Sequence, residues 1–287
     1  MGLRRPGLPA RRVTHAPGID TWRPVQGRSR PAEAQPVDPF ALTSDPAAYV
    51  ARPACEEALA ELEDRVRSGP IVALSGPPGI GKTLLLRVLA QRLAGSLRCV
   101  YIPYGALEFR ELCALVLGLQ GLAHAGGADP EAELAAEARR SAARGVPLLL
   151  LLDDANAIPL ATLRALVDFS RALGGALRLL AVPVDDERAA RVLAALGAGA
   201  SHVRLAQPMS GDETAHYVAT RLALSGADDP ALAALTAARV GWLHRESAGN
   251  PRRLHQLVAW ILHRGTPAPD SVAPFSEAGP WLELDAG

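Results

Sequence analysis

At 287 residues, with 30 basic and 30 acidic side chains, the chain is long enough for one large domain or two smaller ones, and no net field draws it to nucleic acid or an anionic membrane. Ala, Leu and Val dominate and aromatics make up 4%, which favours helices and buried parallel strands over an all-β fold. Cys55, Cys99 and Cys113 lack the spacing of a zinc site or a disulfide framework, and no apolar run is long enough for a transmembrane segment or a signal peptide, so a cytoplasmic protein is expected.

Residues 1–37 are rich in Pro, Arg and Gly and poor in large apolar groups, the composition of a disordered basic arm. Its arginines are solvated charges or contacts to nucleic acid, anionic lipid or an acidic partner. Ordered chain is expected from Asp38-Pro39-Phe40. Asp45 before Pro46 reads as an N-cap, and Leu59, Leu62 and Val66 give Cys55–Val66 helical periodicity.

A first strand over Ile71–Ser75 leads into Gly76-Pro77-Pro78-Gly79-Ile80-Gly81-Lys82-Thr83 and then an apolar helix to about Ala94. This G-x-x-x-x-G-K-T pattern is a phosphate-binding loop. The glycines let successive amides point at a phosphate, Lys82 supplies a charge for the β and γ phosphates, and the Thr83 hydroxyl suits magnesium. Lys82 is the only lysine in the chain, retained where a compact ammonium is needed. The loop, with Leu84 after it, is expected to hold ATP.

A second strand spans Arg98–Ile102, followed by helices over about Leu107–Leu119 and Asp129–Ala143. Pro147-Leu148-Leu149-Leu150-Leu151-Leu152-Asp153-Asp154 is a strand of the kind buried on both faces of a parallel sheet. Its terminal carboxylates assign Asp153 to the nucleotide's Mg2+ and Asp154 to the attacking water. A helix over about Pro159–Leu173, a strand over Leu177–Val182, a helix over Asp186–Leu196 and a short strand over His202–Leu205 complete the alternation. That order predicts a five-stranded parallel sheet covered on both sides, with nucleotide at the C-terminal strand edge.

After Pro208 the pattern is helical. Ser210 and Glu213 form a capping box for a helix to about Leu224, Asp229-Pro230 opens another, and Asn250-Pro251 caps the last, whose stripe is Leu254, Leu257, Val258, Ile261 and Leu262. Arg252 and Arg253 in its first turn oppose the helix dipole, so they either meet an anion or remain solvated. The Pro-rich tail 265–287 either docks on the body or serves a partner.

Phosphate loop, acidic strand and helical lid opening with Gly249-Asn250-Pro251-Arg252 together resemble an AAA+ ATPase. The series Pro39-Phe40, Asp45-Pro46, Leu84-Leu85-Leu86-Arg87, Leu163-Arg164-Ala165-Leu166, Pro208-Met209-Ser210, Glu213-Thr214, Tyr217 and Arg221-Leu222 is similar to the ExeA-type ATPases of the general secretion pathway A group. The resemblance covers about residues 38–264 and implies a P-loop α/β/α domain at 38–208 with a lid at 209–264. It also implies ATP and Mg2+ as cofactors, Arg252 as the lid contact to the γ-phosphate, and a homo-oligomer serving secretion or pilus machinery. Members with a membrane helix and a peptidoglycan-binding domain are longer. This chain is similar to the short form, recruited to the inner membrane through a partner.

Three departures from the family pattern favour secure binding over fast hydrolysis. The second acidic residue is Asp154 where Glu is usual, Val182-Pro183 stands where a polar residue normally senses the γ-phosphate, and Gly197–Ser201 contains no arginine, leaving Arg191 and Arg204 as imperfect fingers. Two alternatives stay open: a nucleotide switch with little turnover, and a DNA-linked helper ATPase of the transposition kind, which too few residues after the lid for a winged-helix reader disfavour.

Overall fold

The computed structural model describes residues 38–103, 105–122, 129–225 and 235–264. The expectations for the arm 1–37, the helix start at Asp229-Pro230 and the tail 265–287 lie outside the described residues.

Strands β1 (Ile71–Ser75), β2 (Arg98–Ile102), β3 (Leu148–Leu152), β4 (Leu177–Ala181) and β5 (Ser201–Arg204) form one sheet in the order β2-β3-β4-β1-β5, with every pairing parallel. The unbroken leucine run of β3 follows from this. Leu148, Leu150 and Leu152 pack under one helical layer, and Leu149 and Leu151 under the other, so neither face tolerates a polar residue. The first layer holds α3 (Phe109–Leu119), α4 (Pro130–Ala143), α5 (Leu160–Ala172) and α6 (Ala189–Leu196), and the second holds α1 (Pro53–Ser68) and α2 (Lys82–Arg92). This is the expected α/β/α parallel sheet.

Two helix starts differ from the sequence expectation because a nearby carboxylate side chain accepts from backbone N–H groups at the start of the helix. Glu111 reaches back to the Glu108 N–H at 3.1 Å, and α3 begins at Phe109 rather than Leu107. Asp186 Oδ1 accepts from Arg188 and Ala189 N–H at 2.7 and 3.2 Å, so α6 begins at Ala189 rather than Asp186. Asp45 caps as expected, but the helix it opens is a single 3-10 turn, Pro46–Ala48.

Three further helices follow the sheet: α7 (Gly211–Ser225), α8 (Ala237–Ser247) and α9 (Pro251–Arg264). The capping box forms reciprocally, Ser210 N–H to Glu213 at 2.7 Å and Glu213 N–H to Ser210 at 3.1 Å. Met209, Tyr217, Val218, Leu243, Leu254, Leu257 and Val258 form a core that also includes Phe40 and Val50. The N-terminal strap thus packs with the C-terminal helices. Buried Arg221 fastens it, donating to the carbonyls of Pro39 at 2.6 Å, Ala48 at 3.0 Å and Ala41 at 3.5 Å. Among the described residues no helix is long and apolar enough to cross a membrane.

Candidate nucleotide-binding site

The loop Gly76–Thr83 leaves the C-terminal end of β1 and turns into α2 at Lys82. The first amides of a helix have no intrahelical acceptor and its dipole favours an anion there. Lys82 is 8% exposed, and its Nζ donates to the carbonyls of Gly76 at 2.6 Å and Pro77 at 3.0 Å, which hold the ammonium against the loop. Burial pushes the Lys82 pKa down, the nearby Asp185 and Asp153 carboxylates oppose this, and Arg252 adds to it. A buried ammonium under that strain gains from an incoming anion. Ile80 differs from its loop neighbours, because its side chain is buried among the residues under α1 and α2 and only its backbone is available to a phosphate.

Asp153 and Asp154 directly follow β3. Asp153 Oδ2 accepts from the Tyr101 hydroxyl at 2.8 Å, and Oδ1 accepts from the Asp154 N–H at 3.1 Å. Asp154 sits in the left-handed region with φ 45° and ψ 50°, a conformation that costs about 1 kcal/mol away from glycine and that Asp tolerates better than most. Two residues on, Asn156 clasps the segment after β4, donating from Nδ2 to the Val184 carbonyl at 3.0 Å and accepting from the Val184 N–H at 3.2 Å. Val182, where a sensing polar group is normal, is 1% exposed and belongs to the core under α1 and α2.

The helical region closes the site from above. Asn250 Nδ2 donates to the Pro78 carbonyl at 2.9 Å and the Arg252 N–H to the Gly79 carbonyl at 3.2 Å. The amide end of α9 therefore rests on the phosphate-binding loop. Gly79 has φ +77°, and a Cβ there would lie 2.6 Å from Arg252 Cβ and 2.8 Å from Asn250 Oδ1. Gly249 is likewise obligatory: with φ +69°, its Cβ would collide with the Met209 carbonyl.

These elements enclose an open cleft of about 490 Å³ lined by Pro78, Gly79, Gly81, Lys82, Thr83, Leu84, Asp153, Asp154 and Arg252. Its other end is formed by Leu42, Thr43 and Ser44 of the strap with Tyr217 and His255. His255 is 6% exposed, its Nε2 lies 2.8 Å from the Tyr217 hydroxyl, and burial with Arg221 nearby pushes its pKa down to about 4. Of the residues expected to bind phosphate, metal and water, Pro78, Gly79, Gly81, Lys82, Thr83, Leu84, Asp153, Asp154 and Arg252 come together in one cleft, and Gly76, Pro77 and Ile80 are not part of its lining. The candidate fingers do not join them there: Arg191 lies on α6, and Arg204, on the edge strand β5, is 3.7 Å from Asp185 Oδ2.

Sequence reasoning missed Tyr101, Asn156, His255 and the strap's part in the cleft. Asn156 carried a readable signal, since it is three residues past Asp153, whereas the meaning of Tyr101 depends on the pairing of β2 with β3. Nothing local marks the strap, since its partners lie at the far end of the chain.

A model of the AAA ATPase domain matches residues 51–182. The five-stranded parallel sheet with its surrounding helices is a fold that the chain shares with P-loop AAA+ ATPases, its structural neighbours. Among solved structures the chain is similar to Cdc6p from Pyrobaculum aerophilum, with TM-score 0.53 and 19% identity over 76% of this chain and 62% of that one. A Walker-type ATPase of Pyrococcus abyssi gives TM-score 0.58 and 14% identity over 80% and 73%. The ORC2 protein of Aeropyrum pernix, solved in ADPNP and ADP complexes, gives 0.50 and 16% over 74% and 68%. The chain therefore spans less than two thirds of the first of these proteins. No curated protein matches it in sequence. The AAA ATPase match covers residues 51–182, so the strap before it and helices α7–α9 after it lie outside the match.

Proposed function

We propose that the protein is a magnesium-dependent ATPase of the AAA+ type that uses nucleotide to drive or switch assembly of a larger machine. The observation that supports it most is the contact between the amide end of α9 and the phosphate-binding loop. That contact couples whatever occupies the loop to the orientation of the helical region. In this reading residues 38–208 bind nucleotide, 209–264 act as the lid, and Gly76–Leu84 cradle the phosphates with Lys82 as their counter-charge. Arg252 reads the γ-phosphate and Asp154 polarises water.

The donor set fits magnesium. Thr83 offers a hydroxyl and Asp153 a carboxylate, both hard oxygen donors lining the cleft, and magnesium commonly takes one or two such groups together with nucleotide phosphates and water. Each Asp153 oxygen accepts one hydrogen bond and keeps a further lone pair. When bound, the ion would neutralise phosphate charge.

Mg2+-dependent ATP turnover, measured against protein concentration, tests the proposal. Turnover that rises with concentration and is abolished by Lys82→Ala supports an oligomeric ATPase, and equal turnover with Lys82→Ala ends the reading. The finer role follows from the ExeA resemblance: a cytoplasmic homo-oligomer recruited to the inner membrane to serve secretion or pilus machinery.

A second reading, a switch with little turnover, is favoured by the apolar Val182 and the short Asp154 side chain. Tight ATP binding without turnover at any concentration would select it. A DNA-linked role, including transposition help, has the basic arm in its favour, and salt-sensitive DNA binding lost on deleting residues 1–37 would select that one.

A further inference from the structure

Tyr101 lies on the edge strand β2, opposite Leu151 of β3. Strand side chains alternate, so Tyr101, Leu151 and Asp153 share the face covered by α2. On α2, Thr83 and Arg87 are four residues apart and stand one above the other. The Arg87 guanidinium lies 4.0 Å from the centre of the Tyr101 ring, while the hydroxyl donates to Asp153 Oδ2 at 2.8 Å. The ring is therefore held at both ends, by a cation over its face and a carboxylate at its tip. Asp153 is held in turn at three points, through its N–H to the Ile102 carbonyl at 3.0 Å, through Oδ2 to Tyr101 and through Oδ1 to the Asp154 N–H.

We propose that Tyr101 is a positioning residue for the nucleotide's magnesium: its hydroxyl fixes the carboxylate of Asp153, and through it the affinity of the site for the ion. The inference rests on the nucleotide reading above. A tyrosine that merely filled the sheet edge would need its ring and not its hydroxyl. Partners that orient a metal ligand commonly contribute about 10- to 100-fold in metal affinity.

Tyr101→Phe separates the two roles, since it keeps the ring under Arg87 and removes only the donor. Binding of a fluorescent ATP analogue is measured across a Mg2+ titration and again in EDTA. The expected result is a half-saturating Mg2+ concentration raised about tenfold, with unchanged binding in EDTA and an unchanged circular dichroism spectrum. In an Asp153→Asn background the same substitution is expected to change nothing. An unaltered Mg2+ dependence in Tyr101→Phe overturns the inference, as does an equal shift in the Asp153→Asn background. If the wild-type protein itself binds the analogue with no Mg2+ dependence, the magnesium reading fails and this inference fails with it. Wild-type dependence that Tyr101→Phe leaves unmoved removes this inference alone.

Discussion

Asn250 and Pro78 are joined across the cleft by a single hydrogen bond, Nδ2 to the carbonyl at 2.9 Å. The same side chain caps α9 through Oδ1, which accepts from the Arg253 N–H at 3.3 Å, so an alanine would disturb helix and contact together. Asn250→Ser keeps a capping oxygen and is too short for Pro78. One neutral hydrogen bond contributes about 1 kcal/mol net, so ATP affinity is expected to fall about fivefold, by equilibrium titration, with the helix signal in circular dichroism unchanged.

Asp154 is expected to matter for turnover and not for binding. Asp154→Asn preserves size and the local turn while removing the carboxylate, and it should retain ATP with near wild-type affinity. Hydrolysis should fall by roughly 10²- to 10⁴-fold, the usual contribution of a positioned general base. Single-turnover kinetics on preformed complex would check this, and a variant as fast as wild type would move the role to another residue.

His255 gives the fold an acid limb. Burial, with the Arg221 guanidinium nearby, depresses its folded pKa to about 4, against about 6.5 in an unfolded chain. Between those values the unfolded state takes up a proton that the folded state refuses. Its contribution is thus fully present above about pH 6.5 and lost as pH falls toward 4, amounting to about 3 kcal/mol when complete. Urea unfolding at pH 7 and pH 4.5 should show a smaller drop for His255→Gln, which cannot titrate and can still accept from Tyr217, than for the wild type.

Arg221→Met should detach the strap. The substitution leaves the carbonyls of Pro39, Ala41 and Ala48 without their guanidinium donor, and one buried unsatisfied group costs about 1–3 kcal/mol. Urea denaturation is expected to show a loss of at least about 2 kcal/mol, together with weaker ATP binding, because Leu42–Ser44 would no longer be held against the cleft.

Legibility in the sequence followed how local each signal was. The leucine run ending in Asp153-Asp154, the loop with its lone lysine and the Ser210–Glu213 box could be read because every partner lies within a few residues. The strands came within one or two residues of their observed ends, most plainly β1 and β3, whose residues are all buried. The strap was harder. Phe40 and Val50 look like any apolar residues early in a folded segment, and their choice of the core with the C-terminal helices over the sheet is a tertiary event. Tyr101 was hidden similarly, because its meaning depends on β2 pairing with β3, a register that the sequence leaves unspecified.

The bond from Arg221 to the Pro39 carbonyl spans 182 residues of chain. A contact so distant in sequence cannot form on a ribosome until the sheet and its covering helices have already emerged, and long-range closure of this kind is slow. Phe40 and Val50 of the N-terminal strap must therefore wait through most of synthesis for the residues, from Met209 onward, that bury them. Segments that stop at Val182 would carry the phosphate-binding loop and the acidic strand yet leave Phe40 and Val50 with nothing to bury against. Folding of the cleft is consequently a late event, completed when the last helix closes over the first residues of the body.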